Sequence, residues 1–123
     1  KKIEKDTDIY IVNSYGKTKS FFNNCKNIFL GGSIVNHGGQ NPLEATRFGC
    51  NIIHGPNVDN FREIYEFLKK NKISTVVRNQ KQMIFAIDKF FNKKTSSNTL
   101  RKKFNSIGQK ILYKTYKEIS FFL

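Results

Sequence analysis

The stretch GGSIVNHGGQNPLEATRFGCNIIHGP, residues 31–56, decides the fold. It follows one short apolar run, Asn27-Ile28-Phe29-Leu30, and contains a second, Asn51-Ile52-Ile53-His54. Each run has strand length and stops at a turn-forming pair, Gly31-Gly32 in the first case and Gly55-Pro56 in the second. Between them, residues 42–48 suit a helix that faces a core with Leu43 and Ala45. Asn41 is its N-cap, Pro42 lies in its first turn and Gly49 is its C-terminal stop. Strand, helix, strand is a crossover unit, which makes the two strands parallel. Gly38 and Gly39 remove side chains where a ligand's phosphate would have to approach the backbone, and the amide-rich helix start beyond them offers N–H donors. Ligands of open parallel sheets bind beyond the carboxyl ends of the strands, where residues 31–39 and 54–60 fall. Glu44, one turn into the helix, has two readings: a capping-box partner of the Asn41 N–H, or an acceptor for a ribose diol.

Outward from this unit the alternation continues. Residues 8–13, DIYIVN, are β-branched and aromatic and read as a strand, followed by a turn at Ser14-Tyr15-Gly16 and a helix over 18–25. On the other side Phe61, Ile64, Tyr65 and Leu68 recur at i, i+3, i+4 and i+7, a helix that Asn60 and Glu63 would cap as a box. Residues 73–77, ISTVV, make a fourth strand. Met83, Ile84, Ile87, Phe90 and Phe91 give the next helix its buried face. A polar connector from Lys93 to Asn98 then leads to a long basic helix carrying Leu100, Phe104, Ile107, Ile111, Leu112, Tyr116 and Ile119. The fold class is therefore α/β, a Rossmann-like parallel sheet covered on both faces, in one domain over residues 1–123 without internal repeats.

Twenty-two Lys and Arg stand against nine Asp and Glu, a formal charge of +13 on 123 residues. A field of that sign suits a polyanionic partner, whether nucleic acid, an anionic membrane surface or a phosphorylated substrate. The lysines are scattered, though, so a solvated charged face is the plainer account. No apolar run has the length of a membrane span. Cys25 and Cys50 form no pair or His spacing that builds a zinc site, and both are expected buried, reduced and inert. His37 and His54 lie in or near the loops; no carboxylate is placed to orient His37 as a base, and His54 reads as a strand-end residue.

In their order, four elements resemble the C-terminal signature of Kdo transferases, which transfer 3-deoxy-D-manno-octulosonic acid (Kdo) to lipid A. They are Gly31-Gly32-Ser33 after a strand, His37-Gly38-Gly39-Gln40-Asn41-Pro42-Leu43-Glu44, Gly55-Pro56, and Asn60-Phe61. The resemblance runs over almost the whole chain, which would be a minor part of such an enzyme. It implies the GT-B arrangement of two Rossmann-like halves facing a cleft, with this chain part of the C-terminal half, which holds CMP-Kdo. Gly31, Gly32 and Ser33 would line the donor pocket. Gly39, Gln40 and Asn41 would contact the CMP phosphate through backbone and side chain, with Gly38 beside them in the donor-binding set, Glu44 would meet the ribose hydroxyls, and Asn60 with Phe61 would shape the far wall. The resemblance implies no metal and no cofactor beyond the donor substrate itself.

The family's general base, a Glu of the N-terminal half, has no counterpart here, so the segment alone is expected to be inactive. That half also carries the acceptor site and the membrane association. The implied partners are CMP-Kdo, a lipid A precursor, the anionic inner-membrane surface and the N-terminal half of the same protein, but not nucleic acid. The implied location is the cytoplasmic face of the inner membrane of a Gram-negative bacterium. One departure stands out: where the family shows D-T-x-G-E-L, this chain has Asn13-Ser14-Tyr15-Gly16-Lys17-Thr18. Only the glycine is kept, and these residues are left out of the site. Two other readings remain open, a UDP-sugar enzyme of the same architecture and a noncatalytic basic module that binds nucleic acid.

Overall fold

A computed structural model describes residues 3–92 and 97–122. Its centre is a parallel sheet of β1 (Asn27–Leu30), β2 (Asn51–His54) and β3 (Ser74–Val76), in that order. Leu30 pairs with His54 and His54 with Val76, so the three carboxyl ends are level. The crossovers are α2 (Leu43–Arg47) between β1 and β2, and α3 (Arg62–Lys70) between β2 and β3. α1 (Thr18–Asn24) precedes the sheet, and α4 (Gln80–Asn92) and α5 (Ser97–Ser120) follow it.

Adjacent residues of β2 face opposite sides of the sheet, and each side has its own core. Ile52 packs with Phe22, Leu30, Ala45, Cys50, Tyr65, Leu68 and Ile73, under α1, α2 and α3. Phe104 and Ile107 of α5 join from outside. Ile53 packs with Val77 and Ala86, flanked by Met83 and Phe90 of α4. That second side is thinly covered, and Phe29 of β1 stays 42% exposed. Gly49 ends α2 with φ +75°, and the Cys50 N–H returns to the Ala45 carbonyl at 3.1 Å. A side chain there would also overlap the Ser97 carbonyl, so the helix stop and the seat of α5 coincide at one glycine.

Several expectations need correction. Residues 8–13 form no strand: Ile9 and Ile11 are each more than four-fifths exposed. A β-prone run becomes a strand only where a neighbour accepts its backbone hydrogen bonds, and no described strand does so for this one. The sheet thus has three strands rather than four. The Asn60–Glu63 capping box is absent, because Asn60 lies inside a 3₁₀ turn, Asp59–Phe61, and α3 begins at Arg62. In α4 the buried stripe is Met83, Ala86 and Phe90, while Ile84, Ile87 and Phe91 face outward. Cys25 is exposed. Cys50 alone is buried, its thiol donating toward the Phe22 and Cys25 carbonyls, both at 3.3 Å, and burial pushes its pKa up to about 11. Of the connector read from Lys93 to Asn98, positions 93–96 lie outside the described residues, and Ser97 and Asn98 already belong to α5.

Candidate functional site

Two loops leave the carboxyl edge of the sheet, residues 31–42 after β1 and 55–58 after β2, and Ser33 ties them together. Its hydroxyl donates to the Leu30 carbonyl at 2.6 Å and accepts the Gly55 N–H at 2.8 Å. Its own carbonyl accepts the Asn57 N–H at 2.9 Å. Ser33 is fully buried, and a Cβ on Gly55 would overlap its backbone. The serine therefore acts on the edge as a latch between loops, with its hydroxyl committed inside the protein. Gly31 is exposed and Gly32 half-buried, the latter beneath the exposed His37 ring.

Gly38 and Gly39 both take positive φ, +86° and +76°. Both are buried. The Gly38 carbonyl accepts the Asn60 N–H at 3.2 Å, and a Cβ on Gly38 would collide with the Asn60 amide; one on Gly39 would press on Asn57 and Val58. These glycines thus answer first to the close approach of the second loop, where the sequence suggested the approach of a phosphate. Asn60 covers Gly38, and Phe61 turns into the core.

Beyond the glycines the chain comes to the surface. Gln40 and Asn41 are exposed. The Asn41 carboxamide accepts the Leu43 N–H at 3.0 Å, but from one position before the N-cap: that position is taken by the buried Pro42, whose carbonyl accepts the first helical hydrogen bond, from the Thr46 N–H. α2 has only five residues, so its macrodipole is slight, and individual amides are what this corner has to offer an anion. The Glu44 carboxylate does not reach back to close a capping box. It stands half-exposed, 3.8 Å from the Lys19 ammonium of α1, free to accept further hydrogen bonds.

Two residues that sequence reasoning left aside hold this corner from below. Tyr65, 2% exposed, donates its hydroxyl to the Gln40 carbonyl at 2.8 Å, and its ring meets His54 with centroids 4.3 Å apart. Burial pushes the Tyr65 pKa up to about 12. The His54 Nδ1–H donates to the Gly55 carbonyl at 2.7 Å; Nε2 is buried and has no partner among the described residues. Burial lowers the His54 pKa, outweighing the Gly55 hydrogen bond, with the Lys69 charge adding to the lowering. The imidazole is thus neutral near pH 7. The signal available in the sequence was a tyrosine within an apolar stripe, whose hydroxyl must find a partner once buried. A cleft of ≈ 290 Å³ lies beside the loops, lined by His54, Arg62, Tyr65, Lys69 and Arg78 among others. None of the expected donor-binding residues lines it; of these, Gly31, Gln40, Asn41 and Asn60 are exposed and Gly32 and Glu44 half-buried, while Ser33, Gly38 and Gly39 lie buried behind them.

A parallel sheet with crossover helices and paired glycine loops at its carboxyl edge defines a Rossmann-like α/β unit. The fold is shared with the crystal structure of the C-terminal CMP-Kdo binding domain of WaaA from Acinetobacter baumannii. The TM-score is 0.74 at 20% identity, over 84% of this chain and 54% of that one. In sequence, the chain is similar to the 3-deoxy-D-manno-octulosonic acid transferases. It is 32% identical to that of Aquifex aeolicus over 77 residues, 63% of this chain and 22% of the relative. It is 31% identical to that of Rickettsia prowazekii over 87 residues, 71% of this chain and 19% of the relative. The chain thus spans about a fifth of the length of these curated relatives. No family model matches it.

Proposed function

We propose that this chain is the donor-binding segment of a Kdo transferase and holds CMP-Kdo on the rim formed by residues 31–44. The observation that carries the reading is the emergence of Gln40 and Asn41 at the surface, at the carboxyl edge of the sheet, with the unclosed Glu44 carboxylate one turn further on. The likeness in fold to a CMP-Kdo binding domain and the likeness in sequence to transferases of Kdo support it. An open rim suits a segment whose ligand is closed over by a second half.

On this reading a hydroxyl of a lipid A precursor attacks the anomeric carbon of Kdo. The carbon–oxygen bond to the CMP phosphate breaks with its electron pair going to the phosphate oxygen, and a base from elsewhere in the protein takes the hydroxyl proton. Negative charge grows on the phosphate as the bond breaks, so amides fixed at Gln40 and Asn41 bind that state more strongly than the ground state. Glu44 accepts from the ribose hydroxyls and sets the nucleotide's orientation. Ser33, Gly38, Gly39 and Asn60 keep the two loops together behind the rim, and Gly31 and Gly32 form its floor. The whole enzyme acts in lipopolysaccharide biosynthesis, at the cytoplasmic face of the inner membrane, where its basic surface faces anionic lipid; among the described residues no helix is long and apolar enough to cross a membrane.

The test is kinetic. In the full natural polypeptide, Asn41→Ala and Glu44→Ala each lower CMP-Kdo affinity or turnover by about tenfold or more, the effect of one or two charge-assisted hydrogen bonds. Unchanged kinetics with an intact fold remove the Glu44 carboxylate and the Asn41 carboxamide from the site, and preferential binding of UDP over CMP points to a different nucleotide-sugar enzyme.

A further inference from the structure

Among the described residues, no acceptor takes up the Asn41 N–H. Its direction is nonetheless fixed. The peptide between Gln40 and Asn41 is trans and planar, so its C=O and N–H point opposite ways. The carbonyl is held toward the core by the Tyr65 hydroxyl, and the N–H is thereby turned to the open side of the rim. Tyr65 is itself held: it is buried at the head of α3 against the His54 ring, which the Gly55 carbonyl fixes at the end of β2. A line of contacts thus runs from the sheet through His54 and Tyr65 to a single peptide unit of the rim.

We infer that Tyr65 is a positioning residue for phosphate recognition: by anchoring the Gln40 carbonyl it presets the Asn41 N–H toward the phosphate of a bound nucleotide. The inference rests on the reading of residues 31–44 as the CMP site. Without the anchor the peptide can rotate, and its carbonyl, rather than its N–H, can face the anion. The nucleoside part of the ligand does not sense that rotation, and this separates positioning from a general loosening of the fold.

The experiment compares CMP with cytidine as ligands of the full natural polypeptide, by calorimetry, for the wild type and Tyr65→Phe. The expected result is a loss of about five- to tenfold in CMP affinity with cytidine affinity unchanged, the scale of one hydrogen bond to a charged group. If wild type prefers CMP to cytidine and Tyr65→Phe keeps that preference, the positioning role is overturned while the site stands. Equal losses for both ligands overturn it as well, because a merely structural tyrosine does that. A wild type with no preference for CMP overturns the site, and the positioning role with it. Should Tyr65→Phe fail to fold, the wild-type Asn41 amide proton decides: a downfield shift with CMP and none with cytidine supports the role, and an unmoved resonance with bound CMP refutes it.

Discussion

Ser33 shows most sharply how one side chain can organise the edge without touching a ligand. Its hydroxyl satisfies the Gly55 N–H and is itself satisfied by Leu30, all in the interior. Ser33→Ala leaves the Gly55 amide without an acceptor, and a loss of about 1–3 kcal/mol in unfolding free energy is expected. Chemical denaturation measures it, and a variant as stable as the wild type would show that the two loops do not depend on the latch. His54 makes a prediction of opposite kind, in pH. Its folded pKa lies below its ordinary value of 6.5, so in the window just below that value the unfolded chain binds more protons than the folded one. The stability contributed by the neutral, buried ring is complete above about pH 6.5 and is lost as pH falls through that window toward the folded pKa. His54→Gln should flatten this part of the stability profile; an unchanged acid slope would assign it to other groups. At this scale the sequence spoke unevenly. That the Asn41 side chain would bond at the start of α2 was legible because such contacts are local, although the N-cap itself falls on Pro42. The burial of Ser33 and the reach of Tyr65 to Gln40 were not, since each joins residues more than twenty positions apart.

The elements built from these residues follow the sequence wherever period and punctuation agree. β1, α2 and β2 lie where the apolar runs and their glycines set them, and α3 shows the stripe of Ile64, Tyr65 and Leu68. Where neighbours decide, local pattern was insufficient. Residues 8–13 have strand composition and no partner. α4 has apolar residues nearly all round, so periodicity could not choose which arc would face Ile53 and Val77. A capping arrangement does exist there, with Asn79 accepting the Gln82 N–H at 2.9 Å and the Gln82 side chain accepting the Arg78 N–H at 2.8 Å. Its N-x-x-Q signal was readable and passed over. Gly49 carries the prediction at this scale. A side chain there must hold φ at +75° and displace Ser97, so Gly49→Ala should cost about 1–3 kcal/mol and loosen α5 from α2. Hydrogen exchange in α5 reports the second effect, and unchanged protection would mean that the helix is seated elsewhere.

For the molecule as a whole, charge and shape separate two surfaces. The carboxyl edge of the sheet carries the rim, and the second half of α5 leaves Ile111, Leu112, Tyr116 and Ile119 exposed on a helix that also bears Lys110, Lys114 and Lys117. On the proposed membrane role, binding of the full natural polypeptide to vesicles rich in anionic lipid should weaken steeply as salt is raised; binding indifferent to ionic strength would contradict it. The fold class was legible from the alternation of elements alone, whereas the ligand was legible only through the resemblance carried by His37 to Glu44, because glycine loops and a capped helix also occur where nothing binds. What the loops hold is therefore the claim to test most directly. A crystal structure of the full natural polypeptide with bound CMP should place a phosphate oxygen within hydrogen-bonding distance of the Asn41 amide and a ribose hydroxyl against the Glu44 carboxylate. CMP lodged instead in the neighbouring cleft between His54, Arg62 and Arg78, with the rim unoccupied, would contradict the account.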